Sequence, residues 1–93
     1  MRYDVLQTRR FARQYKKLHD RVADDVDAAI AAVAEKPTLG ERKKGDLARL
    51  RVHKFHSDKQ LYLLGYSVDD GIRLVYLEAI APHENFYRDL KRS

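Results

Sequence analysis

Apolar positions along the chain change period three times, and each change marks an element. Residues 2–6 alternate around Tyr3 and Val5, which predicts a short strand. Thr8 is a candidate helix cap. Phe11, Tyr15 and Leu18 follow at i, i+4 and i+7, one stripe on an otherwise basic helix. His19-Asp20 breaks that pattern, and Asp20 is a candidate cap for a second helix. Its stripe is Val22, Val26, Ile30 and Val33, and Pro37 closes it. The short link predicts an antiparallel helix pair. Pro37, Gly40 and Gly45 among charges predict a loop over 37–46.

Period two then takes over. In residues 49–55, Leu50 and Val52 fall on one face and Arg49, Arg51, His53 and Phe55 on the other. Residues 60–68 are apolar or aromatic on both faces, as in a central strand. Asp69-Asp70-Gly71 is a turn signal. Residues 72–80 place Ile72, Leu74 and Tyr76 opposite Arg73, Val75, Leu77 and Ala79. Residues 83–92, after Pro82, suit a short basic helix. The expected fold is α+β: an N-terminal helix pair packed on a mostly antiparallel four-stranded sheet, with a short C-terminal helix.

With 93 residues the expectation is a single domain over 1–93. The longest apolar run, Ala28 to Ala34, has seven residues, far below the ~20 of a membrane span. Met1-Arg2-Tyr3-Asp4 lacks the shape of a signal peptide, so a cytoplasmic protein without a membrane partner is expected. The chain has no Cys, which excludes a disulfide scaffold, thiolate zinc ligands and a thiol nucleophile. Its four His residues show no metal-ligand spacing, so neither a metal nor another cofactor is expected.

Charge is distributed in blocks. Residues 1–19 hold six bases and one acid, residues 20–35 one base and five acids, and residues 40–59 seven bases and three acids. The net charge of +5 points to an anionic partner. Lys43, Lys44, Arg49 and Lys54 of the third block suit a phosphate-binding surface. Arg49, Arg51 and His53 stand about 7 Å apart along one strand face. Guanidinium groups can hold phosphates there, and an imidazole can move a proton. The competing explanation is an exposed sheet face with cross-strand ion pairs. His83 and Tyr87 would share a helix face as a second proton-transfer pair, or form a simple helix end. His19 suits a structural role in a turn, and His56 is unassigned.

The strand Leu50-Arg51-Val52-His53-Lys54-Phe55, the Tyr/Leu-rich hairpin and the tail His83-Glu84-Asn85-Phe86-Tyr87-Arg88-Asp89-Leu90-Lys91-Arg92 resemble the RelE/ParE superfamily of bacterial toxins. Those proteins are the toxin halves of type II toxin–antitoxin pairs. The resemblance implies a cognate antitoxin and one of two activities: metal-independent cleavage of ribosome-bound mRNA, or poisoning of DNA gyrase. By position, Arg51 and His53 match the family's basic second strand. His83 resembles the C-terminal catalytic His of YafQ-like members, and Tyr87 the C-terminal Tyr of RelE-like ones. In one departure, the third strand opens Lys59-Gln60-Leu61-Tyr62 without the Arg many members carry. Arg73, one strand later, is the candidate substitute.

The expected catalytic set is therefore His53 and His83 in proton transfer, Arg51 as phosphate clamp and Tyr87 orienting or stacking on a base. Arg49, Lys54, Arg73, Lys43 and Lys44 are expected to bind substrate. By alternation Lys54 would face the core side, so its part needs a bulge or strand end. The alternative to an enzyme is a nonenzymatic RNA-binding module stacking bases on Tyr62 and Tyr66.

Overall fold

In a computed structural model, which describes residues 2–92, Thr8 starts the first helix as the sequence predicts. Strand β1 (Asp4–Gln7) leads into α1 (Arg9–Lys16). The Thr8 hydroxyl accepts from Phe11 N at 3.2 Å and donates to Leu77 O at 3.1 Å, so the cap also ties α1 to the sheet. His19, not Asp20, caps α2 (Asp20–Glu35): its Nδ1 accepts from Arg21 N at 3.4 Å. The residue before Pro37 cannot stay helical, and Lys36 leaves at φ −138°.

A 3-10 turn at Pro37–Leu39 precedes β2 (Glu41–Arg42), and a second at Gly45–Leu47 precedes β3 (Arg51–Ser57). Strands β4 (Gln60–Asp69) and β5 (Leu74–Pro82) follow, then α3 (His83–Arg92). The sheet order is β1-β5-β4-β3-β2, with β1 parallel to β5 and the other pairs antiparallel. There are five strands rather than four, because two-residue β2 is too short to show a period. The β3–β4 connection is two residues, Asp58 and Lys59, both at positive φ, as a tight hairpin requires.

Both faces of the sheet are covered. Tyr62, Leu64, Tyr66, Val75, Leu77 and Ile80 pack against Phe11 of α1 and Val22, Val26, Ala29 and Val33 of α2. On the other face Leu50, Val52, Leu63, Ala79 and Ala81 pack against Phe86 of α3. This corrects the face assigned to strand 49–55. Phe55 joins the helix-pair core, and Arg51 and His53 are half-buried on that same side, while Val52 lies under α3. The expectation allowed β3 one core face. The apolar residues of α3, Phe86 and Leu90 at i and i+4, build a second.

The last strand also departs from simple alternation. Tyr66 pairs with Leu77 but Gly65 with Ala79, so Glu78 is an extra residue at a bulge. Leu77 therefore faces the helix pair and Ala79 faces α3, not one common face. Arg73 sits before the strand at φ +53°, and Ile72 is exposed in the turn. Asp69 Oδ1 organises that turn by accepting from the amides of Gly71 and Ile72.

Candidate nucleic-acid site

Alternation along β3 puts Lys54 and His56 on the α3 side of the sheet. The register sets Lys54 beside Leu63 and His56 beside Leu61. Leu63 is fully covered by the second core, whereas Lys54 and His56 are exposed, so both stand at the rim of α3. No bulge is needed to present Lys54, contrary to expectation, because the α3 side is open where the helix ends.

His83 opens α3 and is exposed. With Gln60, Leu61, Pro82 and Glu84 it lines a shallow cleft of about 180 Å³. Leu61 thus links the His56 and His83 positions. Gln60 Nε2 donates to Glu84 Oε1 at 3.3 Å across the cleft mouth. One turn along α3, Tyr87 packs edge-on against Phe86 with ring centroids 5.0 Å apart. Lys43 Nζ lies 5.6 Å from the centre of the Tyr87 ring. A hydrogen bond with Tyr87 holds the Lys43 ammonium above its ordinary pKa, with burial opposing. Arg49 is exposed farther along, beside Leu47, Leu50 and Leu90, and Lys44 is exposed in the loop after β2.

Other expected residues lie elsewhere. Arg51 Nη1 donates to Gly40 O at 2.8 Å on the opposite face, which makes it a brace for the loop. His53 stacks on Phe55 and Phe55 on Tyr62, each at 6.0 Å between centroids. Burial pushes the His53 pKa below 6.5, so its neutral form is favoured. Ser57, also on this side, donates to Asp25 Oδ2 of α2 at 2.6 Å. Arg73 lies over the Tyr3 ring at 4.6 Å, beside the β4–β5 turn. The structure therefore gathers Lys43, Lys54, His83 and Tyr87 on one side, and separates them from Arg51, His53 and Arg73. Tyr62 and Tyr66 are buried under the helix pair, so neither is available as a stacking platform.

His56, unassigned from the sequence, stands exposed on the same side as Lys54. Its signal was period two: whichever face carries Lys54 also carries His56. Among the described residues the ion pairs are Arg21–Asp58 at 3.8 Å and Arg88–Asp89 at 3.9 Å, both exposed. Arg88 of α3 is thus paired with its neighbour, whereas neither pair takes in Lys43, Arg49 or Lys54. No three His, Cys, Asp or Glu side chains among the described residues converge as a metal site. No helix among them is long and apolar enough to cross a membrane.

Solved structures share this architecture. The toxin–antitoxin complex RelBE2 from Mycobacterium tuberculosis contains a chain 24% identical at a TM-score of 0.77, over 89% of this chain and 100% of that one. A mutant of the E. coli toxin RelE in the free state is 21% identical at 0.77, over 98% and 92%. The intact E. coli RelBE toxin–antitoxin complex contains a chain 22% identical at 0.71, over 85% and 94%. The fold is that of RelE-like proteins. The family model for ParE-like toxins of type II bacterial toxin–antitoxin systems matches residues 5–91, and the chain belongs to that family, within the RelE/ParE superfamily. No curated protein sequence matches the chain.

Proposed function

We propose that this toxin cleaves messenger RNA presented by the ribosome, using the α3 side of its sheet and no metal. The observation that carries this reading is the juxtaposition of exposed Lys54 and His56 on β3 with His83 at the start of α3. Cleavage by the ribose 2′-OH needs a base to take its proton while the oxygen attacks the adjacent phosphorus. The bond from phosphorus to the 5′ oxygen breaks, and an acid returns a proton to that oxygen, leaving a 2′,3′-cyclic phosphate. His83 and His56 fill the two proton-transfer roles, since an imidazole ring can accept a proton at one nitrogen and donate one from the other. Lys54 stabilises charge on the phosphorane. Tyr87 stacks on or orients a base, and Lys43, Lys44 and Arg49 hold flanking phosphates.

This assignment replaces His53 with His56 and gives Arg51 a bracing role. The cleft at His83 is too shallow to enclose a nucleotide strand, which supports dependence on the ribosome to present the RNA. The solved RelE-like chains include complexes with antitoxin, and we propose that a cognate antitoxin holds this toxin too. A segment carrying acidic and apolar residues suits the unpaired cations and would order on binding.

Primer extension on mRNA in a reconstituted translation reaction tests the proposal. Codon-phased cuts that vanish in His83→Ala support it; cuts of equal strength in the folded variant remove the assignment. One observation favours a second activity: the matching family model is that of ParE-like toxins, and docking on DNA gyrase is the activity the ParE branch implies. Inhibition of purified gyrase supercoiling that persists in Lys54→Ala and His83→Ala would establish it instead.

A further inference from the structure

Helix α1 carries a second basic surface, on the sheet face opposite α3. Arg9, Arg10, Arg13 and Lys16 lie in the helix and Lys17 caps its end, with no acid in the first turn. These charges work against the helix that bears them. Arg9 and Arg10 occupy the N-terminal turn, where the dipole disfavours cations. Arg9 with Arg13, and Arg13 with Lys17, are like-charged i,i+4 pairs. Among the described residues, no side-chain hydrogen bond or ion pair engages Arg9, Arg10, Arg13 or Lys17.

The orientation of the row follows from α1's anchors. Phe11 is buried, and the Tyr15 hydroxyl donates to Asp27 Oδ1 of α2 at 2.8 Å. Lys16 leans the same way and lines a cleft with Asp20 and Asp24. At about 100° per residue, Arg9, Arg13 and Lys17 fall on the outer flank, away from those acids, with Arg10 beside them. Successive members are about 6 Å apart along the axis, comparable to consecutive phosphates of a nucleic-acid strand. The outer flank presents no large apolar residue. An acidic peptide would lack an apolar anchor there, whereas a phosphate backbone needs only cations.

We infer that the outer face of α1, through Arg9, Arg10, Arg13 and Lys17, binds the phosphate backbone of duplex RNA, separately from the α3-side site. The choice of RNA over DNA rests on the nuclease reading; the backbone contact does not. The surface grips without reading sequence, since it offers charges and no base-reading shape.

Fluorescence anisotropy with a short blunt RNA duplex across a salt series tests this. The variant Arg9→Gln/Arg13→Gln/Lys17→Gln should bind at least tenfold more weakly at low salt. Its log–log salt slope should fall by about 2 to 3, at roughly 0.9 per lost phosphate contact. Its Tm should hold or rise, because the removed charges repel one another, and this separates lost binding from lost folding. His83→Ala should bind the duplex as wild type does, whether or not the protein proves to be a nuclease. Unchanged affinity and slope in the triple variant overturn the proposal. So does equal loss in Lys54→Ala, which would place the duplex at the other site. Tighter binding to a matching DNA duplex overturns the choice of RNA, and stronger competition by an acidic peptide of equal charge overturns the nucleic-acid partner.

Discussion

The Gly40 amide donates to the Tyr66 hydroxyl at 2.7 Å, and this contact fastens the loop before β2 to the middle of the sheet. The same hydroxyl donates to Pro37 O at 2.7 Å, and Arg51 braces the Gly40 carbonyl from the neighbouring strand. Residues 41–49, with Lys43, Lys44 and Arg49, hang from this knot.

Tyr66→Phe leaves a buried amide and a carbonyl without their partner. We expect a loss of about 1–3 kcal/mol, read from urea unfolding. Gly40→Ala acts on the same knot sterically. Its Cβ would stand 2.6 Å from the Tyr66 oxygen, and overpacking of this kind costs about 1–3 kcal/mol. Unchanged stability in both variants would dissolve the knot.

Phe86 holds α3 down. Its ring sits over Gly65, where a Cβ would lie 2.7 Å from Cζ. Phe86→Ala should lose about 3–5 kcal/mol, and Gly65→Ala should press α3 away from the sheet. Limited proteolysis in residues 83–92 should speed up in both variants relative to cleavage in α2.

His53 links stability to pH. Burial lowers its folded pKa below 6.5, so the unfolded chain takes up the proton first. Stability is complete above about pH 6.5 and falls as acid carries the pH down through the folded pKa. Urea midpoints at about pH 7.5 and about pH 5 should differ less in His53→Gln than in wild type, in the range where histidine titrates. An equal difference in the two proteins would show that His53 contributes nothing to the slope.

The two sides of β3 should separate in activity. Lys54→Ala, His56→Ala and His83→Ala should each slow RNA cleavage by about 10²–10⁴. His53→Ala and Arg73→Ala should cleave at close to the wild-type rate under conditions where they remain folded. Cleavage rates on ribosome-bound mRNA, compared at matched folded fraction, check this. A dead His53→Ala beside an active His56→Ala would reverse the assignment.

Much of the architecture was legible in the chain. Thr8, the stripes of α1 and α2, Pro37 and the Asp69 turn each act through residues close in sequence, so local chemistry was enough to place them. The RelE/ParE resemblance, carried by the residue strings around β3 and α3, agrees with the family match. Strand β2 was not legible, since two residues have no period. Nor was the bulge at Glu78, which shows only when β4 supplies a register.

Charge blocks, helix stripes and the pairing of Lys54 with His56 on one face belong to the sequence alone, because they follow from periods of 3.6 and 2. Which face of β3 stays open was decided by tertiary structure. That choice depends on where α2 and α3 land, and Phe86 reaches Leu50, Val52 and Gly65 only after some twenty to thirty-five residues of chain have folded back. A strand's period says that its two faces differ; only the elements packed on each say which one meets solvent.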